Sequence, residues 1–75
     1  VALADHLATA HRVLGEVHMA RGELEAARTS LSRALERSDD PAQLLAVGRA
    51  LERLGDPRAA AAYRAAARRA PDDPQ

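Results

Sequence analysis

From Leu3 the larger apolar residues recur at Leu7, Leu14 and Val17, with Ala10 between them. Steps of three and four residues place such positions on one face of a helix. Gly22 interrupts the pattern, and Leu24, Ala27, Leu31, Ala34 and Leu35 mark a second helix beyond it. Asp40-Pro41 then offers a capping carboxylate followed by proline at the first helical position, where a missing N–H does no harm. Leu44, Leu45, Val47, Leu51 and Leu54 carry a third helix to Gly55. Asp56-Pro57 repeats the same start and opens a fourth, Ala-rich helix expected to end near Ala70-Pro71. Arg64, Arg68 and Arg69 lie toward its C-terminal end, where cations suit the helix dipole. β-Branched residues are sparse and alternation with period two is absent, so no strand competes. The pattern predicts an all-α fold of four helices, with turns short enough to make neighbours antiparallel.

The pattern also repeats. Shifted by 33 residues without gaps, Gly15 falls on Gly48 and Gly22 on Gly55. Ala26 and Ala27 fall on Ala59 and Ala60, Ala34 on Ala67, and Asp39-Asp40-Pro41 on Asp72-Asp73-Pro74. Both glycine pairs and an unbroken Asp-Asp-Pro run in one register are hard to assign to composition. The chain therefore reads as a single domain, residues 1–75, built from two helical hairpins at about 8–40 and 41–73.

The stretch Leu14-Gly15-x-x-His18-x-x-x-Gly22-x-x-x-x-Ala27-x-x-x-Leu31-x-x-Ala34 resembles the tetratricopeptide repeat. That family's pattern places Leu-Gly, an aromatic, Gly, Ala, a second aromatic and Ala at these intervals. The second copy, Val47-Gly48-x-x-Leu51-x-x-x-Gly55-x-x-x-x-Ala60, matches through its first helix and then drifts. Arg64 stands where Leu31 predicts a large residue, and Tyr63 lies one position early. A turn one residue shorter around Asp56-Pro57 would bring Tyr63 into that slot. His11, His18, Leu44 or Leu45, and Leu51 replace the family's aromatic residues, which weakens packing more than it alters the fold. The resemblance covers roughly residues 8–74 and implies a fragment of an α-solenoid.

Composition narrows the functional classes. The chain has 11 basic and 11 acidic residues, so there is no cationic excess for direct nucleic-acid binding. No apolar run is long enough to span a membrane, and a cytoplasmic setting is expected. Of the 35 residues counted as apolar, 19 are Ala, and Tyr63 is the single aromatic, so the core is lightly built. Every basic residue is Arg, which suits a GC-rich, actinobacterial-like source.

Candidate chemistry is thin. His6 and His11 are five residues apart, and His11 and His18 seven. Metal chelation from one helix needs rings three or four residues apart, so no metal or cofactor site is expected. His11 and His18 occupy aromatic positions of the repeat and read as core fillers, and His6 beside Asp5 as a solvent residue. Ser30, Ser32, Ser38, Thr9 and Thr29 have no base or nucleophile elbow around them. The recurring Asp pairs read as helix caps, and the chain is not expected to be an enzyme.

The resemblance instead implies a non-catalytic scaffold for protein–protein interaction. In such repeats the first helix of each pair lines a groove. By register the first repeat contributes Thr9, Arg12, Glu16, Met19 and Ala20, and the second Ala42, Leu45, Arg49, Glu52 and Arg53. Arg12, Arg49 and Arg53 suit a carboxylate or an acidic peptide. Competing with that, Arg12 can pair with Glu16 four residues on, and Glu16 is expected to face Arg49. Some members hold a peptide C-terminus in a Lys and Asn clamp; here Glu16 stands at an Asn position, and its charge opposes a carboxylate.

Two alternatives stand beside the peptide-binding reading. One is a sensory or oligomerising segment of a larger bacterial transcription regulator or signalling ATPase. The other is a homo-oligomer formed through uncapped ends. Asp73-Pro74 reads as the start of a further helix, and Ala60, Ala62, Ala66 and Ala67 are expected to form an uncovered strip on the fourth. Leu14 and Leu31 are expected to be core positions.

Overall fold

The computed structural model describes residues 2–69. It contains four α-helices: α1 (Ala2–Ala20), α2 (Leu24–Arg37), α3 (Pro41–Arg53) and α4 (Arg58–Arg69). No strand occurs among the described residues, and no helix there is long and apolar enough to cross a membrane. Each short turn forces an antiparallel hairpin, α1 on α2 and α3 on α4. Gly22 and Gly55 take φ of 77° and 70° at the two turns, a left-handed backbone that a side chain would strain. The recurring Asp73-Pro74 and the end near Ala70-Pro71 lie outside the described residues, as does the side chain of His6.

Two aspartates start the helices of the second hairpin. Asp40 accepts from the Ala42 N–H at 3.1 Å, with Pro41 in the first turn. Asp56 accepts from the Arg58 N–H at 2.9 Å and also holds the Arg58 side chain, at 3.0 and 2.7 Å. That double grip, with Arg28 nearby, lowers the Asp56 carboxyl from 3.8 to about 2. Capping rather than acid–base chemistry is the role of both.

The core centres on Leu31, Ala34, Val47, Ala50, Leu51, Ala59 and Ala62, with Met19, Leu35, Leu54 and Tyr63 packed at its edge. Each hairpin closes by a large side chain of its second helix entering a gap left by a glycine. A Cβ on Gly15 would sit 2.7 Å from Leu31 Cγ, and one on Gly48 would sit 2.9 Å from the Tyr63 ring. Tyr63, and not Arg64, thus occupies the place of Leu31. The second helices therefore repeat at 32 residues while the glycines repeat at 33. Ala27 and Ala34 correspond to the buried Ala59 and Ala66, not to the exposed Ala60 and Ala67.

Two expectations about burial fail. Leu14 is 46% exposed, and Leu7, Val13 and Val17 are nearly as open, so the large apolar stripe of α1 faces outward. The face of α1 that meets α2 is built from Ala8 and Gly15, because Leu31 already supplies the bulk and needs a thin neighbour. The second failure concerns α4. Ala62 and Ala66 are buried against the rest of the molecule, and only Ala60 and Ala67 of the expected strip are open. Among the described residues the larger uncovered apolar face lies on the first helix, not the last.

Candidate groove between α1 and α3

The ten groove positions come from two helices that pack side by side. Ala42, Leu45, Arg49, Glu52 and Arg53 are all exposed on α3. Steps of three or four residues lead from Ala42 through Leu45 and Arg49 to Glu52 and Arg53, which puts them on one face. Glu16 and Ala20 are exposed on α1, while Thr9, Arg12 and Met19 are half-buried. A small hollow of about 170 Å³ opens between the helices, lined by Glu16, Met19, Ala20 and Arg53. Glu16 therefore shares its hollow with Arg53; among the described residues it makes no ion pair with Arg49.

Much of the polar chemistry here is used internally. Gln43, a residue the repeat register did not single out, bridges the helices. Its Nε2 donates to Thr9 Oγ1 at 2.7 Å, and its Oε1 accepts from Arg12 Nε. Arg12 Nη1 reaches Glu16 at 2.9 Å. Arg12 is thus engaged on both sides, by Gln43 and by Glu16, as the competing reading of paired charges expects. Gln43 escaped notice because its equivalent in the first repeat is Ala10, so no pattern marks it. Glu52 is engaged as well, accepting from the Tyr63 hydroxyl at 2.6 Å. That bond stabilises the protonated phenol and raises the Tyr63 pKa above its ordinary value.

What remains is a short ladder. Leu45, Arg49 and Arg53 follow one another at four-residue steps along α3. Among the described residues neither arginine forms an ion pair. The groove therefore offers two guanidinium groups beside an apolar footing of Leu45, 39% exposed, and the half-buried Met19. This arrangement can bind anions and apolar side chains; it holds no nucleophile paired with a base.

The histidines do less than a core role would ask. His11 and His18 are half-buried, and His18 Nδ1 lies 2.6 Å from Glu23 Oε1 at the end of α1. Among the described residues no three His, Asp or Glu side chains converge as a metal site. A second, open hollow of about 460 Å³ lies among Glu25, Arg28, Gly55, Asp56, Pro57 and Arg58. Its charges are structural. Arg28 donates to the Leu54 carbonyl at 3.2 Å, pairs with Glu25 at 2.7 Å and lies 3.8 Å from Asp56, tying the first hairpin to the second turn.

The helical hairpins, the glycine turns and the small-residue seams are those of a repeat scaffold. A family model described as tetratricopeptide repeat matches residues 2–42 and 13–74, and the chain belongs to that family. Comparison with characterised proteins and with solved structures returns no match. Repeats of this family serve generally as protein–protein interaction modules and are typically non-catalytic.

Proposed function

We propose that the groove between α1 and α3 binds an acidic segment of a protein partner. The observation that carries this reading is the pair Arg49 and Arg53. They stand one turn apart on an exposed face, while Arg12 pairs with Glu16 and Glu52 accepts from the Tyr63 hydroxyl. Bidentate hydrogen bonds suit guanidinium groups to carboxylates, and Leu45 and Met19 give an apolar side chain a place to rest. Glu16 lines the same hollow as Arg53. It disfavours a free C-terminal carboxylate there and favours internal acidic residues aimed at α3.

The test is fluorescence anisotropy with labelled peptides that carry Leu next to paired Glu, against sequences with Lys in place of Glu. The acidic peptides are expected to bind, with affinity falling as salt rises. The double variant Arg49→Glu/Arg53→Glu is expected to lose at least roughly tenfold in affinity, since hydrogen bonds to charged groups contribute about 1.5–3 kcal/mol each. Reversal of Arg64 and Arg68 on α4 should leave binding intact. Equal loss from both double variants would show a non-specific charge effect and sink the reading.

A further inference from the structure

The hollow between the hairpins holds two opposite charges that do not meet. Glu16 of α1 and Arg53 of α3 both line it, with Met19 and Ala20 completing the wall. Arg53 forms no ion pair among the described residues, so its guanidinium does not close on Glu16. Glu16 is held by Arg12 instead. Its Oε2 accepts from Arg12 Nη1 at 2.9 Å, and its Oε1 has no hydrogen-bond partner among the described residues. One helix thus offers an unused acceptor and the other unused donors.

The space between them sets the size of what fits. A water molecule's share of liquid volume is about 30 Å³, so a hollow of about 170 Å³ has room for a side chain and not only for solvent. Met19 is packed against the core cluster, which fixes that wall, and Ala20 adds little bulk of its own. An apolar wall accepts methylenes. The two polar residues call for a group that accepts from Arg53 and donates to Glu16 at once. A carboxylate fails the second demand and an ammonium the first. An aliphatic side chain fails both and takes water from two charges. A hydroxyl meets both through a single atom but fills little of the space. A primary carboxamide meets both through separate atoms, its oxygen accepting and its NH2 donating.

We infer that the hollow is a subsite for a glutamine side chain of the bound segment. The inference rests on the proposal that the α1–α3 groove takes an acidic segment, and it adds a neutral polar anchor to that segment. Arg53 has five N–H donors, so it serves the carboxamide and a neighbouring carboxylate together, while Arg49 remains for acidic residues alone. Glu16 opposes a purely acidic ligand, and here it gains a use as the acceptor that singles out an amide. The subsite draws one charge from each hairpin and exists only where the two hairpins stack.

Fluorescence anisotropy with a peptide series tests the inference. A Leu-Glu-Glu core carries one Gln at each flanking position in turn, and Glu, Lys or Leu then replaces that Gln. One position is expected at which Gln binds roughly tenfold tighter than each of the three, the size of a hydrogen bond to a charged group. Glu16→Lys leaves two cations in the hollow and should turn the preference there from Gln to Glu. Ala20→Leu should fill the hollow and erase the preference, while the core peptide binds as before. Both positions are exposed, and circular dichroism checks that the variants keep their helix content. Met19 is the only methionine, so its methyl NMR signal reports on the hollow of the parent chain without any variant. That signal should move further with Gln at the chosen position than with the core peptide. No preference for Gln anywhere, with the acidic core still binding, overturns the subsite and leaves the groove reading intact. A preference that survives both variants, or a Met19 signal indifferent to the Gln, overturns it too. Failure of every peptide to bind removes both readings.

Discussion

The two hairpins share a plan and differ in how firmly it is executed. In the first, Leu31 fills the gap over Gly15 and is completely buried. In the second, Tyr63 fills the gap over Gly48 but remains half-buried, its hydroxyl held at the rim by Glu52. The contrast reverses on the first helices. α3 sinks Leu44, Val47 and Leu51 into the core, whereas α1 buries Ala8 and Gly15 and leaves Leu7, Val13, Leu14 and Val17 largely outside. A repeat sequence sets the shape of each unit. Whether a given face is core or surface depends on having a neighbour, and α3 packs on α2 on the side where α1 meets no other helix among the described residues.

That contrast predicts a steep difference between two leucines. Leu31→Ala should destabilise by roughly 2–5 kcal/mol, because it empties a fully enclosed site. This is a large share of the stability a module of this size holds. Leu14→Ala should cost less than about 1 kcal/mol, since the side chain is already half in water. Urea denaturation at concentrations low enough to keep the chain monomeric measures both. Equal losses would mean that Leu14 is buried in solution after all.

Next in size come the glycines. Gly15→Ala should cost about 1–3 kcal/mol, since Leu31 is enclosed and has nowhere to retreat. Gly48→Ala should come closer to neutral. Tyr63 can swing outward at the expense of its bond to Glu52, and the gain in helix propensity of about 1 kcal/mol offsets the rest. Thermal melts of the two variants give the order directly, and the reverse order would contradict the assignment of Tyr63 as the looser filler.

The smallest effect separates the two caps. Asp56 has a carboxyl pKa of about 2, lowered from 3.8, so its contribution is complete above roughly pH 4. It is lost as pH falls from there toward about 2. With the screening expected near the surface, Asp56→Asn should remove about 1 kcal/mol at neutral pH and progressively less in acid. Asp40→Asn keeps a good capping side chain and loses no arginine contact, so it should change stability by less. Urea midpoints across that pH range compare the pair. A constant deficit for Asp56→Asn would show that the capping bond, not the charge, carries the effect.

How far the site could be read in advance follows from the same physics. The tetratricopeptide resemblance, carried over by register, named Ala42, Leu45, Arg49, Glu52 and Arg53, and all five lie exposed on α3. It could not tell which charges were free. The Arg12–Glu16 pair follows from helical spacing, but the Arg12–Gln43 and Tyr63–Glu52 hydrogen bonds span 31 and 11 residues, which no local pattern encodes.

By itself the sequence determined the helices, their antiparallel turns and the hairpin plan, because glycine, proline and capping aspartate act within a few residues. It also contained the one-residue slip that delivers Tyr63 to Gly48. Only the tertiary structure decided which of two apolar faces of α1 turns inward. Periodicity weights bulk, and α1 carries large residues on one side and small ones on the other. Packing against Leu31 selects the small side, since close-packed interiors match volumes across an interface rather than collecting the largest side chains.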